Sequence, residues 1–194
     1  MKDTYVLNVH GNSFVVFSNQ EDLQRLGILW SIAARFKNAF IYLPTRKNPL
    51  TSYLKECWSQ NGLDLLLLQH HVQFPLKRWK TIRSNLRRGK VVSVKSRIDQ
   101  DLNLTFEDYC LLWDQYPHDR LDVKQRYETL FLVGSSRVFH YMVPGFFQLS
   151  RSGPRLSGSG YHDHIHLDSF LKGETTDEYT SLAVDFYDRK MWSK

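Results

Sequence analysis

Residues 39–68, AFIYLPTRKNPLTSYLKECWSQNGLDLLLL, decide the reading of the fold. Ala39–Leu43 is a compact apolar run stopped by Pro44, which suits a buried strand. Asn48-Pro49 places a capping residue before a proline, and Leu50, Tyr53, Leu54, Cys57 and Trp58 follow at i, i+3, i+4, i+7 and i+8. That spacing predicts a helix, with Asn61-Gly62 as its stop. Leu63–Leu68 is then continuously apolar except for Asp64, as a strand covered on both faces would be.

Upstream, Tyr5–Phe17 reads as two short strands about a His10-Gly11-Asn12-Ser13 turn. Ser18-Asn-Gln-Glu21 fits a capping box, and Leu23, Leu26, Leu29, Trp30, Ala33 and Ala34 carry a helix to about Lys37. Downstream, Pro75 opens a basic helix reaching Arg88, with a narrow apolar stripe of Trp79, Ile82 and Leu86. Gly89 closes it and Val91–Val94 forms a further strand. The alternation over residues 1–98 predicts an α/β (or α+β) class, built on a strand/helix layer with a largely parallel sheet.

The pattern changes over residues 99–194, where helices precede an antiparallel part, continuous with the first half as one domain. Thr105-x-x-Asp108 caps a helix with Phe106, Tyr109, Cys110 and Trp113 on its face, and a second short helix covers Asp119–Glu128. Thr129–Val133 and Arg137–Met142 read as strands joined through Gly134-Ser-Ser136. Ser150–Gly160 is Gly/Ser-rich and predicts a mobile surface loop. Tyr161–Asp168 is extended, a last strand lies near Ser181–Tyr187, and no internal repeat is visible. Tyr141–Phe147 reads as core packing.

The chain has 194 residues, 42% of them hydrophobic, enough to bury one sizeable core. Its apolar runs, Ala39–Leu43 and Leu65–Leu68 among them, are far short of a membrane span, and the N-terminus shows no cleavable apolar leader. Only Cys57 and Cys110 occur, each on a predicted apolar face as a packed thiol, so a reducing, cytoplasmic setting without membrane association is expected.

Net charge is +6, yet it is unevenly placed. Residues 74–97, FPLKRWKTIRSNLRRGKVVSVKSR, hold Lys77, Arg78, Lys80, Arg83, Arg87, Arg88, Lys90, Lys95 and Arg97 and no acid. Like charges at helical i, i+3 and i+4 repel by about 0.2–0.5 kcal/mol per pair. A nucleic-acid backbone or other polyanion laid on Lys80, Arg83 and Arg87 would relieve this and release counterions. An acidic protein partner would use the same charge, as in an inhibitor or immunity-type module.

Two further groups of residues invite chemistry. In open α/β sheets ligands collect beyond the carboxyl ends of strands. Those ends predict a basic rim of Ser18-Asn19, Thr45, Arg46, Lys47, His70, His71 and Lys95-Ser96-Arg97, suited to a phosphorylated small molecule or a nucleic-acid end. No GxGxxG or GxxxxGK[ST] accompanies it. The second group is Tyr161-His-Asp-His-Ile-His-Leu-Asp168. If extended, it projects His162, His164, His166 and Asp168 to one face, where they could hold a divalent transition metal with Asp185 or His140 as a further ligand. Such a metal would activate water in a hydrolase or nuclease. Asp122-Val-Lys124 has the spacing of a nuclease D-x-K pair but falls in a predicted helix, and no G-x-S-x-G elbow is present. From sequence alone, phosphate-backbone binding by the basic helix is the leading expectation, with the metal-dependent hydrolase and the acidic-partner module as its rivals.

Overall fold

In a computed structural model, which describes residues 1–58, 62–86, 93, 105–158, 162–172 and 180–192, the protein is a mixed α/β fold with two four-stranded sheets. The chain opens with a hairpin of β1 (Thr4–His10) and β2 (Ser13–Ser18), followed by helix α1 (Gln20–Arg35). Next come β3 (Phe40–Leu43), a 3-10 turn (Thr45–Lys47), α2 (Ser52–Cys57) and β4 (Asp64–Gln69). A second 3-10 turn (Leu76–Arg78) runs into α3 (Trp79–Ser84), and α4 (Phe106–Gln115) follows. A second hairpin, β5 (Asp122–Arg126) and β6 (Thr129–Gly134), leads into the long α5 (Ser136–Gly158). The chain then adds β7 (His164–His166), a turn at Asp168–Phe170, β8 (Ser181–Phe186) and α6 (Arg189–Trp192).

The first sheet has the order β1-β2-β8-β7 and the second β3-β4-β6-β5. Only the central pairs, β2 with β8 and β4 with β6, are parallel, and every other pair is antiparallel. This corrects the largely parallel layer expected from the alternation. β3 is an antiparallel edge strand, and its parallel-looking apolar run is only half-buried. The predicted strand Val91–Val94 lies outside the described residues.

The chain repeats one order of elements, β1-β2-α1-β3-β4 and then β5-β6-α5-β7-β8. Each sheet takes two strands from each half. No sequence repeat announced this. The inner faces supply Val16 and Val184 from one sheet and Leu65 and Leu132 from the other, and both meet α1 and α5 in a single core. Helix against helix is the largest contact between elements. Trp30 packs on Phe146 with ring centres 4.6 Å apart, and a Cβ on Gly27 would stand 2.6 Å from the Phe147 ring.

Three local expectations are corrected. Asn19, rather than Ser18, caps α1 by accepting from the Asp22 N–H, because Ser18 is the buried last residue of β2. Thr51, rather than Asn48, caps α2, and the Asn48 amide instead donates to the carbonyls of Met1 and Thr4. Cys57 and Cys110 are exposed thiols, not packed ones. The Thr105/Asp108 cap of α4 is present as expected; of that helix's predicted face, Phe106, Tyr109 and Trp113 lie outside the described side chains.

The largest corrections fall in the second half. Asp119–Glu128 is not a helix. Its residues form edge strand β5, turning into β6 through Tyr127 and Glu128, both at positive φ. Neither is the glycine or asparagine that usually marks such a turn. Asp122 and Lys124 therefore lie on a strand after all, ion-paired with each other. Arg137–Met142 is not a strand, and of the loop expected over Ser150–Gly160 the part up to Gly158 is helical, the rest lying outside the described residues, for residues 136–158 are the continuous helix α5. Val138, Phe139, Met142, Val143, Phe146 and Leu149 keep one face buried at helical spacing, across Pro144 and into the Gly/Ser run. Gly153 has no side chain because the Phe186 ring occupies the place of its Cβ.

Candidate metal centre

The His-rich stretch becomes β7, the edge of the first sheet, paired antiparallel with β8. Strand alternation turns Ile165 toward the core and His164 and His166 to the outer face. His164 stands opposite Asp185, and His166 opposite Ala183. Asp185 is the aspartate named from sequence as a possible partner, and only strand register brings it here. Nε2 of His162 lies 3.1 Å from Oδ2 of Asp185. Ligand atoms of His162, His164 and Asp185 all fall within 4.8 Å of one another. His140, the other residue named, is not part of this group.

His166 adds a third imidazole, its Nε2 3.1 Å from Nε2 of His164. Asp168 does not share the face as the extended reading expected. It starts a 3-10 turn, where one carboxylate oxygen accepts the Leu182 N–H at 2.8 Å and the other lies 3.4 Å from Nδ1 of His166. It is thus placed to orient His166 from behind, the usual task of a carboxylate outside a ligand set.

The electrostatics favour a cation. Burial pushes the Asp185 carboxyl above its ordinary value, and the opposing pull of His162 and then His164 does not restore it. The carboxylate is 11% exposed while the His162 ring is 48% exposed, so one wall of the group is dry and the other open. Donors about 2.0–2.2 Å from one ion in tetrahedral array lie roughly 3.3–3.6 Å apart; His162 and Asp185 already stand 3.1 Å apart, and the full group, within 4.8 Å, would draw in around an ion. Two imidazoles and one carboxylate form a mixed donor set acceptable to zinc, iron, nickel or manganese.

No known protein family matches the chain. Neither a curated protein nor a solved structure matches it at a significant level either. The chemistry therefore has to be read from the side chains themselves.

The basic segment is only partly free. Predicted as a helix over residues 75–88, it is a 3-10 turn and a short helix over residues 76–84, and Leu86 of its apolar stripe is exposed. Trp79 is fully buried, packed among Phe40, Tyr42, Phe74 and Phe131, with its indole N–H donating to Thr129. Arg83 does not face outward. It donates to Asp64 at 3.1 Å and to Glu128 at 3.0 Å, and Arg46 reaches Glu128 at 3.2 Å. Asp64 is itself buried and also accepts from the Tyr42 hydroxyl and the Arg46 N–H. Lys77, Arg78 and Lys80 are exposed, Lys80 lying over the Tyr127 ring. Arg87, Arg88, Lys90, Lys95 and Arg97 lie outside the described residues.

The predicted rim is not assembled. Because β3 runs antiparallel to β4, Thr45, Arg46 and Lys47 sit at the Asp64 end of the second sheet, and His70 and His71 at the other. Ser18 and Asn19 belong to the first sheet. Lys95 and Arg97 are again outside the described residues.

Proposed function

We propose that this protein binds a divalent transition metal through His162, His164 and Asp185, with His166 beside them, and uses it in hydrolysis. The observation that carries the reading is the convergence of three ligand atoms, from two strands and a flanking residue, within 4.8 Å. The bound ion would supply a water of lowered pKa and a Lewis acid for a carbonyl or phosphoryl oxygen. The protein's part is to hold three donors on a sheet, to keep the carboxylate dry, and to leave the imidazole side open to substrate.

The metal reading ranks above polyanion docking because Arg83, central to the predicted basic stripe, is engaged by Asp64 and Glu128. Metal analysis of protein purified without a polyhistidine tag tests the binding step. About one equivalent is expected for the natural sequence and none for His164→Ala or Asp185→Asn. Equal metal content in all three would remove the proposal. The hydrolytic step is tested with chromogenic phosphodiester and carboxylic ester substrates, where turnover must vanish in chelator and in Asp185→Asn.

A further inference from the structure

A separate cavity of about 420 Å³ opens where β4 and β6 end side by side, lined by Lys37, Gln69, His70, His71, Ser135, Ser136 and Arg137. We propose that it is a binding site for a phosphate monoester, in which Lys37, His70 and His71 close on the anion and Arg137 backs it. The volume lies in the range of about 300–1,000 Å³ usual for small-molecule sites. Among the described residues no acidic side chain lines it, and Asp119 holds Ser135 and Arg137 from behind the lining. It also sits beyond the carboxyl ends of the second sheet's parallel pair, the side on which open α/β sheets bind ligands.

The floor and wall are built rather than incidental. Gln69 is buried, its amide donating to the carbonyls of Ala33 and Ala34 at 2.6 and 3.2 Å while its oxygen accepts from the Ser136 hydroxyl. That fixes the end of β4 against the end of α1, so that Lys37, just past the helix, lines the same cavity as His70 and His71. Arg137 is held from outside the cavity, stacked 3.4 Å over the Tyr116 ring and paired with Asp119 at 3.1 Å. The first turn of α5 is already served by the Ser135 hydroxyl, which accepts from the Val138 N–H. The cavity is therefore recommended by its side chains rather than by the helix end. Lys37, two imidazoles and the Asp119-paired Arg137 match a dianionic, many-acceptor group better than a carboxylate or an apolar ligand.

The site is independent of the metal centre, so it is tested in the presence of chelator. Inorganic phosphate and phenyl phosphate are titrated at low salt into the full chain, followed by calorimetry and by amide shifts. Saturable binding is expected, with shifts centred on residues 69–71 and 135–137. Lys37→Gln and the double variant His70→Ala/His71→Ala should each weaken it about tenfold, the loss of one charge-assisted contact. Lys55→Gln, on exposed α2, should leave it unchanged. All of these substitutions are at exposed positions, and thermal melts of each variant confirm folding. No saturation up to about 20 mM phosphate, a range covering even weak sites, or the same affinity in Lys37→Gln as in Lys55→Gln, would overturn the proposal.

Discussion

The outer faces of the two sheets can be compared rung by rung, because both have an antiparallel edge, a parallel centre and an antiparallel edge. In the second sheet one outward rung reads Phe40, Leu68, Val133, Asp122. At the matching level the first sheet reads His164, Asp185, Phe17, Tyr5. The next outward rung is Tyr42, Leu66, Phe131, Lys124 against His166, Ala183, Val15, Leu7. Trp79 and Phe74 cover the second sheet on the β3/β4 side, whereas Leu54 and Trp58 cover the first on the β1/β2 side. What is a sealed aromatic cluster in one sheet is, in the other, a row of exposed imidazoles beside a buried carboxylate. The same backbone arrangement thus serves stability in one place and leaves chemistry open in its counterpart.

That contrast can be broken most forcefully at Trp79. Trp79→Ala removes a fully buried ring and should cost about 3–5 kcal/mol in urea unfolding. Stability within 1 kcal/mol of the natural chain would show that the second sheet needs no cover. Next in size is Asp64→Ala, which leaves Arg83 and Arg46 facing an empty buried position. A loss of about 2–3 kcal/mol is expected, below that of a fully buried pair because both arginines are partly hydrated.

On the first sheet the expected sign reverses. The Asp185 carboxyl has its pKa raised in the fold, so its contribution is fully present below the unfolded value and is lost as pH rises through the folded one. Wherever the carboxyl is ionised, its buried charge is thus a burden. Asp185→Asn should leave metal-free protein at least as stable there while abolishing metal uptake, as read by melts with and without metal. A marked drop in metal-free stability would mark the group as structural. Smaller again is the alkaline limit of the second sheet. Burial, with the neighbouring Asp64, pushes Tyr42 up to about 12, so between its ordinary value and that point the unfolded chain loses the proton first. Stability should fall with rising pH over this interval, and Tyr42→Phe should flatten the slope. The smallest effect is at His166→Ala, at an exposed position, where about 0.5 kcal/mol or less is expected without metal.

Legibility of the sequence followed the range of the forces involved. The hairpin Thr4–Ser18, helix Gln20–Arg35 and strand Asp64–Gln69 were readable because turn residues, caps and hydrophobic spacing act within a few residues. Strand β5 was missed because it is an edge strand whose exposed residues are charged or polar, with Val123 alone packed against the core. Helix α5 was split into a strand and a loop because Val138, Phe139, Tyr141 and Met142 are as suited to a strand, and Pro144, Gly153 and Pro154 are ordinarily helix breakers. Packing against α1 and β8 overrides both preferences.

For the candidate site, the sequence by itself determined the donors, their period-two spacing and the basic segment around Trp79. Tertiary structure alone decided that His164 stands opposite Asp185, that Arg83 turns inward to Asp64, and that Thr45 and His70 end at different edges of one sheet. The reason is that side-chain type and alternation are local properties of the chain. Which strands lie side by side, and in what register, is set by contacts between residues far apart in it, formed only when both sheets close on α1 and α5.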